Sequence, residues 1–378
     1  MSQDIRDFLT PSCTLLGLGE PTHQEPVFGH LRNDLFATLV RLGFRSIALE
    51  TDRVAALAVD DFVRDGTGTP ADVLRAGFSH GFGALEPNRE LVARMRAYNE
   101  GRPAGDRLSF HGFDAPTENT TAPSPRRYLE YAAGYLDIDL AGTDFGPDER
   151  WDRPEAILDA TRSIGDSAEA ARLRALADDL LGTLHARAPE LIAATSRAAW
   201  HRARTHLTAG IGLLRYHRQA ARRVGEGARI SGLLATRDEV MARNLLDIRD
   251  LEADRGPTLV FANNAHLQRN PSSMRMAGME LGWWSAGAIA DALLGARYRV
   301  LLGSLGSSDA LRLGAPEPGT YEGTLRREFP AWGLTATVAP ALTRTDTRPD
   351  QGYAPLDQPL VDAADGVLYL DSGAALDR

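Results

Sequence analysis

The apolar runs CTLLGLG (13–19) and RSIALE (45–50) bracket a segment whose leucines Leu31, Leu35, Leu39 and Leu42 fall at helical spacing, with Gly43 as a stop. A strand–helix–strand unit obliges its two strands to run parallel, joined by a right-handed crossover. Further apolar runs at RLSFHGF (107–113), TLVFAN (258–263) and YRVLLGS (298–304) read as buried strands, and GVLYLDS (366–372) as a last one. Thr69–Pro70 gives an N-cap followed by Pro at the first helical position, and helical pattern returns from Asn88 to Tyr98. The expected fold class is α/β, a mostly parallel central sheet flanked by helices.

Residues 118–250 differ. After the link APTENTTAPSP come Ala-, Leu- and Arg-rich helical segments with no strand signal. The expectation is one domain over 1–378, with an α/β core at 1–117 and 251–378. The helical insertion at 118–250 would then form a cleft wall over the sheet. Its Arg237, Met241 and Asn244 share one helix face, expected to be the cleft side, where an apolar surface would meet a large ligand.

Composition removes several function classes. A net charge of −9 argues against a nucleic-acid partner. No apolar run reaches the length of a membrane span, and the N-terminus MSQDIRDFLTPSC lacks the basic-then-apolar order of a secretory signal, so the expected location is cytoplasmic. The single Cys13 excludes an internal disulfide framework and reads as a small buried hydrophobe. All 42 basic residues are Arg, so no mechanism that needs a lysine amine is open to this chain.

Open α/β sheets place their sites beyond the carboxyl ends of the strands. There this sequence concentrates its polar groups. The first strand delivers Glu20 and His23, the second ends on Glu50, the third gives His111 and Asp114, and the fourth gives Asn263, Asn264 and His266. A neutral imidazole can take a proton from water while a neighbouring carboxylate orients it and stabilises the imidazolium. Glu20, His23, Glu50, Asp114 and His266 could also ligate zinc, but Asn263 stands where an imidazole would favour a metal, and no metal or cofactor is assigned. GFSHG (77–81) matches the G-x-S-x-G nucleophile elbow, yet a helical pattern precedes it where the elbow needs a strand, so Ser79 is not expected to be a nucleophile. The histidines of the insertion (His185, His201, His206, His217) lack the spacing of a metal helix and are expected at the surface or a pocket wall, and Trp283–Trp284 in the core.

GLGEPTH with Arg32 downstream, GFRSIALE, NRELVARMRAYNEGRP followed by HGFDAP, TRDEVMARN (236–244), FANNAH and DGVLYLD together resemble the erythromycin esterase family in order and spacing. That resemblance implies an α/β core with a helical part forming a deep cleft. It also implies hydrolysis of a macrolide lactone by activated water, without a serine nucleophile. Residue by residue, it implies His23 as general base, Glu20 as its partner and Arg32 near the reacting group, with Glu50 and His266 as further polar positions of the cleft. Asp114, Asn263, Arg237 and Asn244 are the expected substrate contacts. Two positions depart from the family pattern: Asn263 replaces a His, and Val27 a Glu. The departures widen the expected substrate from a macrolide to another large natural product, in resistance or in biosynthesis. A non-hydrolytic enzyme using His23 for proton transfer, and a binding protein for a large apolar ligand, remain the alternatives.

Overall fold

The computed structural model describes residues 2–372. Among these residues nine strands form two sheets: β1 (Leu15–Glu20), β2 (Ser46–Asp52), β3 (Ser109–Asp114), β4 (Thr258–Asn263), β5 (Pro271–Met276), β6 (Met279–Trp284), β7 (Tyr298–Leu305), β8 (Trp332–Thr335) and β9 (Gly366–Leu370). The main sheet has the order β3-β2-β4-β1-β7-β9-β8. Every pairing in it is parallel except β8 with β9.

The crossover expected from the leucine spacing is helix α1 (Pro26–Arg41). It ends one residue short of Leu42, which caps it and is 40% exposed rather than part of the apolar face. Next come α2 (Ala56–Asp65), α3 (Pro70–Ala76, N-capped by Thr69) and α4 (Glu86–Asn99). Between β3 and β4 lie α5 (Arg126–Tyr135), α6 (Glu149–Asp152), α7 (Pro154–Leu158) and α8 (Ala168–Ala186). They are followed by α9 (Ala188–Ala194), α10 (Arg197–Ala220) and α11 (Glu226–Glu252).

Side chains alternate across the sheet as a pleat requires. Leu16, Leu18, Ile47 and Leu49 pack toward α1, α2 and α4 through Phe28, Leu39, Val59 and Leu91. Leu15, Ala48, Val260 and Leu302 pack on the other face against Met241, Leu245 and Ile248 of α11. The helices between β3 and β4 carry a separate apolar cluster around Leu129, Trp151, Leu173, Leu207 and Leu214.

Two elements lie outside the sequence expectations. β5 and β6 form an antiparallel hairpin over residues read only as a tryptophan pair. Its turn places both Ala277 (φ 49°) and Gly278 (φ 77°) in the left-handed region, the mark of a tight two-residue hairpin loop. β8 is a four-residue edge strand inside the Pro- and Gly-rich tail. Of the two tryptophans, Trp283 is buried as expected and Trp284 is 60% exposed, because adjacent strand residues face opposite sides. His217 is wholly buried rather than at the surface or a pocket wall, edge-on to Trp151. Among the described residues no helix is long and apolar enough to cross a membrane.

Candidate active site

β1 ends at a close crossing. A Cβ on Gly19 would lie 2.1 Å from Asn264 Oδ1, so only glycine fits there. Asn264 uses that space to bridge past β1: its amide donates to Gly303 O (2.8 Å) and its Oδ1 accepts from Gly303 N (2.9 Å). The ends of β4, β1 and β7 are thereby locked side by side, and Glu20 emerges at a fixed position beyond them.

His23 Nδ1 lies 2.7 Å from Glu20 Oε1, across the turn that opens α1. This leaves Nε2 free, 3.7 Å from Glu50 Oε2 at the end of β2. Glu50 is the hub. Its Oε2 accepts from Asn263 N (2.9 Å) and its Oε1 accepts from Arg237 Nη2 (3.1 Å) and sits 3.3 Å from His266 Nε2. His266 Nδ1 is 2.9 Å from Asp238 Oδ1, and Asp238 also accepts from Trp283 Nε1 (2.9 Å) and Ala286 N (2.7 Å). Asp114 accepts from Arg237 Nε and Nη2 (2.9 and 2.5 Å), lies 3.1 Å from His80 Nε2 and caps Ala115 N (2.7 Å).

Glu20, His23, Glu50, Arg237, Asp114 and His266 are therefore brought together, each at a strand end or on α11. Asn263 contributes its backbone N–H, while its side chain caps the short helix that follows β4. Four of the expected substrate contacts have other duties. Asp114 is fully buried with its carboxylate occupied, and Arg237 is committed to Asp114 and Glu50. Asn244 donates to the β3 carbonyl of Phe113 (2.9 Å) and lines a separate groove between α8, α10 and α11. Met241 packs in the core beneath the sheet face, so the Arg237–Met241–Asn244 stripe faces the sheet and offers no apolar surface to a ligand. The fourth is Asn263, already described. Arg32 is buried, hydrogen-bonded to Asn33, Asn88 and the carbonyl of Pro87, with its guanidinium 4.8 Å over the ring of Phe261.

Charge follows from these contacts. Burial opposes the imidazolium of His23, but Glu50 and Glu20 outweigh it and raise its pKa to about 9. Burial pushes the Glu20 carboxyl up against the pull of His23. Glu50 is likewise buried, yet His266, His23 and Arg237 hold it below the usual carboxylate range. Burial lowers Arg32 to about 10, opposed by Glu20 and Glu90. His266 is raised because Asp238 and Glu50 overcome its burial. At neutral pH His23 thus carries a proton, and its basic form grows as pH approaches 9.

Residues that the sequence reading passed over complete the cluster. His80 sits in the left-handed region (φ 55°) inside GFSHG, held between Asp114 and Glu118 (Nδ1 to Oε2, 2.9 Å). Asp238 lies within TRDEVMARN, where a carboxylate on the buried side of a helix was the available signal. Ser79 accepts from Asp52 N (3.0 Å), and Thr51 Oγ1 accepts from Ser79 N (2.8 Å); it follows a helix and a Gly77 turn, so it is a loop tie and no elbow. His111, at the third strand, pairs with Glu252 at 2.8 Å away from this cluster. Among the described residues no three His, Cys, Asp or Glu side chains converge as metal ligands, since the carboxylates and imidazoles are already paired with one another and with Arg237.

A pocket opens beside His23. Glu20, His23, Glu50 and Arg32 line one side of it, and Phe78, Phe82, Leu85 and Phe261 the other. No residue of 118–250 lines it; its outer wall is the segment 78–88. α11 reaches the cluster through Arg237, which pairs with Asp114 and Glu50.

Fold and site together define an α/β protein with an acid–base cluster at the carboxyl edge of its parallel strands. The chain belongs to the erythromycin esterase family, whose family model (Erythromycin esterase) matches residues 40–376. Glu50, Asp114, Arg237 and His266 fall inside that match, whereas Glu20, His23 and Arg32 precede it. Among solved structures, the chain is similar to a mutant of the erythromycin esterase EreC in its open conformation: TM-score 0.66, 20% identity, covering 97% of this chain and 92% of that one. It is also similar to a Bacillus cereus protein (TM-score 0.64, 17% identity, 97% and 90% covered). A succinoglycan biosynthesis protein is similar as well (TM-score 0.67, 13% identity, 96% and 88% covered). No curated protein sequence matches the chain. These likenesses establish the fold.

Proposed function

We propose that this protein hydrolyses an ester or lactone of a small-molecule natural product, with His23 as general base. The observation that carries the reading is the placement of His23: Nδ1 is held by Glu20, Nε2 lies 3.7 Å from Glu50 Oε2, and the one-third-exposed side chain lines the pocket together with Glu50. In its basic form Nε2 takes a proton from water as the oxygen adds to the carbonyl carbon. The tetrahedral oxyanion then collapses, the C–O bond to the alcohol breaks, and the imidazolium returns its proton to the departing alkoxide. Glu20 stabilises the imidazolium between the two steps. Family membership supports the reaction class, and the tie of Ser79 to Thr51 and Asp52 supports a mechanism without an acyl-serine.

The test is turnover of ester and lactone probes in ¹⁸O-labelled water by the full chain. Hydrolysis of an ester gives an alcohol and an acid that carries one heavy oxygen, and opening of a lactone gives a single hydroxy acid heavier by one labelled water. A product of unchanged mass would instead identify a proton-transfer reaction such as cyclisation.

A further inference from the structure

The turn that carries His23 has a second fastening, made by a carboxylate two residues on. We propose that Glu25 is a positioning residue for His23: by accepting from Ser308 and Ser372 it pins the turn between β1 and α1, and so fixes the distance from the imidazole to Glu50. For its consequence in turnover this inference rests on the hydrolase reading, to which it adds a residue.

The ties are the first argument. Glu25 is the N-cap of α1, and its Oε1 accepts from Val27 N (3.4 Å). Its Oε2 accepts from Ser308 Oγ (2.6 Å) and Ser372 Oγ (2.7 Å). Ser308 follows β7 and Ser372 follows β9, so one buried carboxylate joins the turn to the ends of two strands. Among the described residues, the other hydrogen bonds of residues 22–25 stay within the turn and the start of α1, or run from His23 to Glu20. The chain between β8 and β9 also packs over the turn, since a Cβ on Gly352 would lie 2.9 Å from Gln24 Nε2.

Placement is the second. The strand order sets β7 and β9 on one side of β1, and β4 and β2 on the other. The turn is therefore anchored on the β7 side, while the carboxylate that His23 must approach, Glu50, stands at the end of β2. His23 Nε2 lies 3.7 Å from Glu50 Oε2, beyond hydrogen-bond length, so a small drift of the turn changes how strongly the two couple. Glu25 and His23 line the same pocket, and the reach of the imidazole into it depends on the same turn. Misplacing a reacting group by about 1 Å can cost ~10²-fold in rate.

The test separates the tie from the charge of Glu25, using three variants of the full chain. Glu25→Ala removes both. Ser308→Ala with Ser372→Ala removes the tie and keeps the charge. Glu25→Gln removes the charge and keeps the tie: its carbonyl accepts from Ser308, and its amide donates to Ser372, whose hydroxyl has Ser307 O as another acceptor (3.1 Å). The readouts are the NMR titration of His23, assigned against His23→Ala, and ester turnover measured at a pH above that midpoint. Glu50, Glu20 and Arg237 are the charged groups that set the midpoint, which lies at about 9. The expected result is a midpoint lower by about one unit in Glu25→Ala and in the serine pair, as the imidazolium withdraws from a carboxylate. In both, kcat is expected to fall by at least about tenfold with KM nearly unchanged. Glu25→Gln is expected to stay near wild type in midpoint and in kcat. A wild-type midpoint or an undiminished kcat in the serine pair overturns the proposal, as does a Glu25→Gln midpoint that falls as far as that of Glu25→Ala. Circular dichroism checks folding; if Glu25→Ala is unfolded, the other two variants decide, and each single serine variant replaces an unfolded pair. Should no ester react with the wild-type protein, the hydrolase reading fails, and the titration alone decides whether Glu25 positions His23.

Discussion

Two imidazole–carboxylate pairs flank Glu50, and they differ in what surrounds them. Glu20–His23 hangs on the turn after β1, one ring nitrogen held by Glu20 and the other 3.7 Å from Glu50, the one-third-exposed histidine lining a pocket. Asp238–His266 is sealed. His266 is 9% exposed, Asp238 not at all, and the aspartate is further fixed by Trp283 and the backbone of Ala286. Chemically similar pairs therefore sit in different surroundings: an accessible imidazole is open to proton exchange with a ligand, whereas a sealed one is committed to its neighbours Asp238 and Glu50. The contrast teaches that burial of the partners, more than the identity of the pair, assigns the role.

The sharpest way to break this comparison is to remove the accessible imidazole. His23→Ala is expected to cost ~10²–10⁴ in kcat/KM, the usual contribution of a general base, with the melting temperature unchanged within a few degrees. Near wild-type turnover would sink the assignment. Removing the sealed carboxylate should act on the fold instead. Asp238→Ala leaves a buried histidine, an indole N–H and a backbone N–H without their acceptor, and breaking such a pair costs about 3–5 kcal/mol. Denaturant unfolding measures it; a loss below about 1 kcal/mol, the worth of a single ordinary hydrogen bond, would mean the pair is no anchor.

Protonation sharpens the comparison. With His23 raised to about 9, kcat/KM should climb tenfold per pH unit through neutrality and level near pH 9. Glu20→Gln removes a negative charge that favours the imidazolium, so the midpoint should fall, by about 1–3 units if the carboxylate acts as a close opposite charge. A pH–rate profile that keeps its midpoint in the variant separates Glu20 from His23. The smallest effect belongs to Ser79→Ala. Activity should hold within about twofold, and stability should drop by about 1 kcal/mol for the lost hydrogen bond. A covalent acyl adduct on Ser79, detected by intact mass, is the opposing result.

Much of this arrangement was legible in the sequence because each parallel strand announces itself as an apolar run and its polar end follows at once. Glu20, Glu50, Asp114 and His266 could be placed at one edge from that rule alone. What a residue at the edge does was less legible. Asp114 and Asn244 look available in a string of letters, and only packing shows that Arg237, His80 and a β3 carbonyl already use them. His80 was hidden by its neighbours: a serine-centred motif drew attention one residue away, and its left-handed backbone has no signature for a histidine. The β5–β6 hairpin escaped because its strands are largely solvent-facing, so their alternation of apolar and polar residues is weak. β8 is too short to leave any period.

The strand order also has a consequence for how the protein comes into being. β1 lies at the middle of the main sheet, and its two neighbours, β4 and β7, begin at Thr258 and Tyr298. During synthesis the segment that bears Glu20 and His23 emerges early, yet its hydrogen-bonding partners do not exist until more than two-thirds of the chain has left the ribosome. Contacts of such long sequence separation form slowly, because loop closure precedes their reward. The β2–β3 pair can assemble long before, as can the helices from α5 to α10. The edge that bears Glu20 and His23 accordingly closes late, and a ribosome stalled before residue 258 would hold a chain with the helices from α5 to α10 in place and an open slot at its centre.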